Sequence, residues 1–402
     1  MDIAIHTLTS QLHDAAAVAA TTREFLDSVH LNDALVGDDY STYGDHALDL
    51  IYVRTGGTEG VFERLLPRLQ ERSSAPIYLL TSGKSNSLAA SCEILSYLNQ
   101  RGIKGEIIHG EPKYIMERVE RLLRVNMALR RLRGTRLGII GQPSDWLISS
   151  QVAPQAVASR LGVELVNIEM QRLLDTMSTL PSTQPADMME LAPTPVIKAS
   201  LAGAQRIYEA LRRIVADENL SGLTLRCFDL LTAVRNTGCL ALARLNGEGI
   251  VAGCEGDVPA MLSMAISQAL TGFTGFQSNP ATIDPETGTI LMAHCTIPLN
   301  MVNRIELDTH YESGIGVGIR GYMTEGPVTL FKVSGDLSRH YVAQGTLVRN
   351  QAKADLCRTQ QVIRLDEPAK VNYFLTCPIG NHHIVMPGHH EQALNELLAA
   401  IS

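Results

Sequence analysis

Two carboxylates, Glu255 and Asp257, lie close together in the segment Cys254-Glu-Gly-Asp-Val-Pro259. An apolar run at 249–253 predicts a buried strand before them, and 259–271 predicts a helix after them. They therefore stand at the carboxyl end of a strand, where open α/β sheets bind ligands. Asp257 before Val-Pro is also a standard helix N-cap. Glu255 has no such structural duty, and an acid in apolar surroundings usually has a partner or a chemical task.

Histidines near predicted strand ends are the second group. His294 ends the apolar run 290–293, and His382 follows a turn at 377–380. Taken singly, such a histidine is more often a satisfied polar residue than a ligand. Imidazoles at several strand edges, with Glu255 in another domain, indicate a metal site between domains.

A third group is Asp308, His310 and Glu312. If the preceding strand continues through them, alternation places all three side chains on one face. They then form either a solvated strand edge or a polar wall of the same cleft.

Two glycine-containing patterns resemble nucleotide-binding motifs. Gly316, Gly318 and Gly321 match G-x-G-x-x-G, but the pattern lies among alternating strand residues and opens no helix. It predicts crowded backbone in a β-domain. The turn 81–87 ends like a P-loop but has Tyr78 where the first glycine should be, so it can offer only hydroxyls and amides to a polar ligand.

The elements that position these groups change type along the chain. From residue 47 to about 222, strand-like and helix-like segments alternate, whereas after residue 279 short strands, including 371–376, follow one another without crossover helices. This pattern predicts two doubly wound (Rossmann- or flavodoxin-like) α/β domains, then a C-terminal β-rich, barrel-like domain. The predicted domains are 1–134, 135–280 and 281–402, with linkers near Gly134 and near Asn279–Asp284.

Composition narrows the class of protein. The net charge of -8 over 402 residues argues against nucleic acid as the main partner. No apolar run approaches the roughly 20 residues of a membrane span, and the N-terminus does not read as a secretory signal. Seven cysteines without a Cys-x-x-Cys pair indicate free thiols in a reducing compartment, so a cytoplasmic location is expected.

Several segments resemble the L-fucose/L-arabinose isomerase superfamily, particularly its smaller fucose isomerase-like proteins. The stretch from Glu255 to Asn279 aligns without a gap to that family's stretch between a metal-binding glutamate and a metal-binding aspartate. The stretches that hold the family's ligand histidines are similar to those around His382 and His294. Weaker similarities are Thr55–Glu59, Asn86-Ser87-Leu88 and Pro143-Ser-Asp-Trp146.

The resemblance implies a site and an assembly. It implies a divalent metal, typically Mn²⁺, that holds two adjacent sugar oxygens while carboxylates move a proton between C1 and C2 through an ene-diol. Glu255 would be a ligand and base, His382 a ligand, and His294 a further candidate ligand. The family forms homotrimers or homohexamers in which a neighbour's first domain closes the site. Thr58, Glu59, Asn86 and Ser87 would then face the sugar from the next subunit.

The chain departs from this family at Asn279, where the second carboxylate is expected. An amide oxygen can bind a metal, but an amide cannot accept a proton at neutral pH. Asp257 or Asp284 could replace the missing group. Three functions follow as alternatives: an isomerase for a sugar of the fucose/arabinose type, the same scaffold reused for sugar epimerisation or carbon–carbon cleavage, or a non-catalytic carbohydrate-binding or regulatory protein.

Overall fold

The computed structural model describes residues 2–11 and 13–401. It divides into two compact units, Met1–Arg130 and Arg131–Ser402.

The first unit is built around a five-stranded parallel sheet in the order β2-β1-β3-β4-β5. Its strands are short and mostly buried, as expected when helices cover both faces of a parallel sheet. The strands are β1 (Ile3–Leu8), β2 (Leu35–Gly37), β3 (Leu48–Val53), β4 (Ile77–Leu80) and β5 (Gly105–Ile108); the helices are α1 (Ala15–Ser28), α2 (Glu59–Arg72), α3 (Ser87–Gln100) and α4 (Pro112–Leu132).

The second unit begins with a four-stranded parallel sheet in the order β7-β6-β8-β9. The chain reverses direction across the sheet between β6 and β8, which is the kind of switch point where α/β sheets bind ligands. The strands are β6 (Arg136–Ile140), β7 (Glu164–Ile168), β8 (Gly222–Leu225) and β9 (Val251–Cys254); the helices are α5 (Pro154–Leu161), α6 (Met170–Ser178), α7 (Ala186–Met189), α8 (Pro195–Asp217), α9 (Cys227–Val234), α10 (Cys239–Gly247) and α11 (Val258–Thr271).

The same unit continues into a closed antiparallel barrel, β10-β11-β16-β15-β14-β17, with a separate hairpin of β12 and β13. The elements are β10 (Phe276–Asp284), β11 (Thr289–His294), β12 (Arg304–Asp308), β13 (Gly318–Tyr322), β14 (Gly326–Val333), β15 (His340–Gln351), β16 (Thr359–Leu365), α12 (Tyr373–Thr376), β17 (His383–Pro387) and α13 (Glu391–Ala400). The predicted fold class, two α/β sheets followed by a barrel, is confirmed.

Helix α11 joins the parallel sheet to the barrel. It follows β9 directly and is buried along most of its length. Ser263 Oγ on this helix accepts a hydrogen bond of 3.0 Å from the backbone N–H of Val333 in the barrel. The N-terminus of α11, with the carboxylates that precede it, is thereby held against the barrel.

Two local predictions are wrong. The segment 371–376 is not a strand but the end of a 3-10 helix followed by α12, because the Tyr373 ring stacks on Tyr341 with centroids 3.9 Å apart. The expected linker at Asn279–Asp284 is part of β10, which accommodates Pro280 at a register shift. The boundary predicted at 280/281 therefore falls inside a barrel strand, and the three-domain division stays a prediction.

The G-x-G-x-x-G pattern has the predicted structural role. Gly318 and Gly321 lie in β13, which is followed by a strand. A Cβ atom on Gly321 would come within 2.4 Å of Ile297 Cγ2. These glycines permit close backbone packing.

None of the helices in the described part of the chain combines the length and apolarity that crossing a bilayer requires.

Candidate active site

Glu255 occupies a strained turn between β9 and α11. Its φ of 64° lies in the left-handed region, and that of Gly256 is 70°. A Cβ atom on Gly256 would lie 2.6 Å from the carbonyl oxygen of Gln142, and the Ser144 N–H donates to the Glu255 carbonyl at 3.0 Å. The loop after β6 therefore holds this turn in a conformation that costs of order 1–3 kcal/mol, and such conformations cluster at functional sites.

The structure brings Glu255, His294 and His382 together. Glu255 Oε1 lies 3.5 Å from His382 Nε2 and 3.7 Å from His294 Nε2. The two imidazoles meet edge to face with ring centroids 5.4 Å apart. One ligand atom from each residue lies within 4.8 Å of the others. Because β11 ends at His294 and β17 begins after His382, both rings come from strand ends on the barrel.

Asp257 holds His382 from the other side. His382 Nδ1 lies 2.8 Å from Asp257 Oδ2, and Asp257 Oδ1 accepts the Ala260 N–H at 2.8 Å as the N-cap of α11. Lys332 Nζ, on β14, lies 3.5 Å from the same Oδ2, and both of these side chains are fully buried. Lys332 is not among the residues predicted from the sequence, although a lysine among the apolar residues of a barrel strand is a signal for a buried partner.

The carboxylates make this pocket favourable for positive charge. Burial raises the pKa of Glu255, but His294 and His382 outweigh burial and leave the pKa well below its usual range. The pKa of Asp257 is lowered to about 2, because Lys332 and His382 outweigh burial. Burial lowers the pKa of His382, yet Asp257 and Glu255 raise it to about 9. The site therefore stabilises a cation, either a proton or a metal ion.

Several buried polar atoms at this end of the barrel make no hydrogen bond within the described residues. They are His382 Nε2, His294 Nδ1 and Asn279 Oδ1. Buried polar atoms are normally hydrogen-bonded, and His382 Nε2 is the one of these three that faces Glu255 Oε1. One carboxylate and two imidazoles suit a divalent first-row metal, and a ligand histidine typically donates its other N–H to a carboxylate, as His382 can to Asp257.

Asn279 lies next to His382 by strand register. Ser278 pairs with His383 across β10 and β17, so the next residue, Asn279, stands beside His382. Asp284, at the far end of β10, is exposed and accepts hydrogen bonds from Glu286 and Thr287 in the hairpin turn. On its other side Asn279 pairs with Ala293 of β11, the residue before His294.

An aromatic wall adjoins Glu255. Trp146, in the loop after β6, donates its indole N–H to Glu255 Oε2 at 2.6 Å and is 51% exposed. Its ring meets Phe228 edge to face at 4.9 Å, and Phe228 meets His310 in the same way at 5.7 Å. A half-exposed tryptophan over a carboxylate offers a flat surface to a ligand that reaches Glu255.

Strand β12 does not continue through Glu312. The strand ends at Asp308, and residues 309–314 form a turn because the Gly314 N–H bonds to the His310 carbonyl. His310 is buried with its Nδ1 3.0 Å from Ser313 Oγ, whereas Glu312 is exposed. These side chains therefore do not share a strand face.

The remaining predicted site residues form a separate group in the first unit. Thr58 Oγ1 donates to the Thr55 carbonyl at 3.1 Å, and Ser87 Oγ accepts from Thr81 Oγ1 at 2.7 Å. The two turns touch, because the Gly56 N–H bonds to the Ser85 carbonyl at 2.7 Å. Glu59 is half-buried and Asn86 is exposed.

Comparison with known proteins gives a consistent set of relatives. The chain is 25% identical over 228 residues to a sulfoquinovose isomerase of Clostridium sp. (strain MSTE9), which covers 55% of this chain and 50% of that protein. It is 23% identical over 262 residues to the sulfoquinovose isomerase of Priestia aryabhattai and 23% identical over 261 residues to that of Alkalicoccus urumqiensis, each covering 62% of this chain and 59% of the relative. The chain thus spans about half to three-fifths of the length of the curated relatives it matches. No family model matches it.

Proposed function

We propose that this chain is a metal-dependent aldose–ketose isomerase acting on a free sugar. The observation that carries the proposal is the meeting of Glu255, His294 and His382, with Asp257 fixing His382 from behind. The relatives named as sulfoquinovose isomerases support the same reaction class. The resemblance to fucose and arabinose isomerases, read from the same sequence, agrees with it.

Isomerisation of an open-chain aldose needs two proton movements. The proton on C2 is transferred to C1, and the hydroxyl proton on O2 is transferred to O1, so that the aldehyde becomes a ketone. A bound divalent cation, for which Mn²⁺ is the candidate, supplies positive charge next to the two adjacent sugar oxygens. Glu255 Oε1 and one nitrogen each of His294 and His382 would hold it, with the Asn279 amide oxygen as a fourth ligand.

The two carboxylate oxygens of Glu255 face different groups, so metal binding and proton transfer can be assigned to different atoms. Oε1 faces the imidazoles, whereas Oε2 lies on the side of the half-exposed Trp146. We assign proton transfer at the sugar to Oε2. Since an amide cannot take a proton at neutral pH, Asn279 can contribute only as a ligand.

Asp257 has a positioning role in this proposal. Both of its oxygens are engaged, one by the Ala260 N–H and one by His382 and Lys332, and its side chain is fully buried. It would hold His382 in the tautomer that directs a lone pair from Nε2 towards the cation. It does not meet the sugar.

The same proposal includes the assembly. The turns that carry Thr58, Glu59, Asn86 and Ser87 would close the site of a neighbouring subunit in a homotrimer or homohexamer. Sedimentation equilibrium of the purified chain tests this part, and a monomer with full activity would contradict it.

The test is proton exchange at the sugar. The protein loaded with Mn²⁺ is incubated in D₂O with a panel that contains sulfoquinovose, L-fucose, L-arabinose and common neutral aldoses. We expect deuterium at C2 of one aldose and the matching ketose as product. Glu255→Gln should abolish both signals, whereas Glu286→Gln, at an exposed carboxylate in a barrel hairpin, should leave both unchanged.

Other outcomes would contradict the proposal. A sugar that raises the melting temperature without exchange or turnover would indicate a carbohydrate-binding protein. A product with the aldehyde retained would indicate an epimerase, and a product of smaller mass would indicate a lyase.

A further inference from the structure

The first unit contains a second group of two imidazoles and a carboxylate, His6, His46 and Asp49. His6 is the fourth residue of β1, Asp49 is the second residue of β3, and His46 lies just before β3. Strands β1 and β3 are parallel neighbours. Asp49 pairs in register with Ala4, two residues before His6, so the two side chains lie on the same face of neighbouring strands. A buried histidine and aspartate there are costly unless they satisfy each other or bind a further group.

The three side chains meet at one carboxylate oxygen. Asp49 Oδ1 lies 2.8 Å from His6 Nε2 and 3.1 Å from His46 Nδ1. The other oxygen, Oδ2, accepts the backbone N–H of Gly44 at 3.1 Å. This bond fixes the carboxylate so that Oδ1 faces the two rings. The three candidate ligand atoms lie within 4.8 Å of one another.

The hydrogen bond of His6 Nδ1 determines whether His6 Nε2 has a lone pair in the neutral ring. His6 Nδ1 lies 3.0 Å from the Asp39 carbonyl oxygen, which can only accept, so Nδ1 carries a proton. In the neutral ring Nε2 then has a lone pair, and this lone pair faces Asp49 Oδ1. Two lone pairs at 2.8 Å repel unless a proton or a metal ion lies against both atoms. A ligand histidine that donates its other N–H to a backbone carbonyl is the usual arrangement around a bound metal.

The surroundings leave one side open. The side chains of His6 and Asp49 are 4% and 8% exposed, whereas His46 is 15% exposed. Tyr40 stacks on the His6 ring at 5.1 Å and covers it. A metal could therefore enter past His46 and keep one coordination position for water. Two imidazoles and a carboxylate suit Zn²⁺, Co²⁺ and related ions better than Mg²⁺ or Ca²⁺.

The geometry points to a second, structural metal site at His6, His46 and Asp49, which takes a divalent first-row transition metal. Such an ion would connect β1, β3 and the segment before β3, and so stabilise the first unit. The inference stands apart from the proposed isomerase activity, because it uses none of the residues assigned to it.

The experiment isolates this site by removing the other one. The full chain carrying Glu255→Gln and His382→Ala is stripped with a chelator, dialysed and titrated with Co²⁺, with visible absorption and calorimetry as readouts. We expect one Co²⁺ bound per chain. Zn²⁺ should raise the melting temperature of the same protein, because a ligand that binds only the folded state stabilises it.

Further substitutions in that background locate the ion. His46→Ala and Asp49→Asn should each weaken Co²⁺ binding by more than tenfold, because even outer-shell partners are worth about 10–100-fold in metal affinity. His13→Ala, at an exposed histidine of the same unit, should leave binding unchanged. His46 is the more exposed ligand, so His46→Ala remains informative if Asp49→Asn fails to fold.

Two results would overturn the inference. One is no Co²⁺ binding by the chain that lacks Glu255 and His382 while its circular dichroism is unchanged. The other is binding that survives His46→Ala. Either result would indicate that His6, His46 and Asp49 only bond to one another and hold no metal ion. Co²⁺ binding and circular dichroism do not depend on sugar turnover. They therefore test this metal site even if the proposed isomerase activity is not found.

Discussion

The two units each contain two imidazoles and a carboxylate, yet the groups differ in where the backbone places them. His6 and Asp49 lie within neighbouring strands and approach to 2.8 Å. Glu255 and His382 lie at strand ends and remain 3.5 Å apart, with a half-exposed tryptophan beside them. Both groups are largely buried, so what separates them is the 51% exposed Trp146 indole that lies against Glu255. We therefore propose a structural ion for the group inside the sheet and a substrate-binding one for the group at the strand ends.

The polar groups at the strand ends of the two units also differ. In the first unit the hydroxyls of Thr58, Thr81 and Ser87 are engaged in local hydrogen bonds. In the second unit His382 Nε2 and Asn279 Oδ1 are buried without one. Chemistry is therefore expected from the second unit, with the first contributing surfaces.

The largest effect is expected from His382→Ala. It removes a proposed ligand and leaves Asp257 Oδ2 with Lys332 as its partner. Mn²⁺ affinity should fall more than about a hundredfold, above the 10–100-fold range of outer-shell changes. Calorimetric titration of the stripped protein with Mn²⁺ measures it. His294→Ala should have a smaller effect, since the described structure gives His294 no carboxylate behind its second nitrogen. If both substitutions lowered Mn²⁺ affinity equally, the Asp257 carboxylate behind His382 would not strengthen that ligand.

The next effect is expected from Asp257→Asn. The amide still caps α11, but it holds His382 less firmly, so Mn²⁺ affinity should fall about 10–100-fold. It also leaves Lys332 buried without an ion partner, which should cost about 3–5 kcal/mol in the free energy of unfolding. Adding Lys332→Met should restore stability in urea denaturation without restoring Mn²⁺ affinity. Recovery of both would show that Asp257 serves the fold alone.

A smaller effect of opposite sign is expected from Asn279→Asp. A carboxylate beside His382 adds negative charge to the site, so Mn²⁺ should bind about tenfold more tightly, or about 1.4 kcal/mol. Isomerase turnover should rise as well, because the new group can also take a proton. Asn279→Ala serves as the control and should bind Mn²⁺ more weakly than the unchanged chain. No difference between Asp and Ala at this position would exclude residue 279 from the site.

The smallest effect on the metal site is expected from Thr81→Val in the first unit. Losing the bond to Ser87 leaves a buried hydroxyl without its donor, which should cost about 1–3 kcal/mol of stability. Mn²⁺ affinity, measured by the same titration, should not change. A tenfold loss of Mn²⁺ affinity would contradict the assignment of all the metal ligands to the second unit.

Local sequence pattern predicted much of the fold. The apolar run that His294 ends is strand β11, and the helix predicted over 259–271 is α11, because alternation and helical spacing are local signals. The pattern failed at 371–376, where apolar residues that could form a strand instead pack as a helical turn under Tyr341. Tertiary packing decided that segment, and no local pattern contains such information.

The candidate site was predictable only in part for the same reason. Glu255 was recognisable because it stands between a strand and a helix N-terminus without a capping duty. The contacts of Lys332 and Trp146 with the carboxylates join residues 75 and 109 positions apart along the chain. The group of His6, His46 and Asp49 has no local motif, because two parallel strands and the segment before one of them assemble it.

The central claim is that Glu255, His294 and His382 share one cation. Crystals of the chain soaked in Mn²⁺ and measured at the manganese absorption edge test it directly. We expect an anomalous peak within bonding distance of Glu255 Oε1 and His382 Nε2, which disappears in crystals of Glu255→Gln. A well-ordered site without a peak, or a peak that survives this substitution, would contradict it.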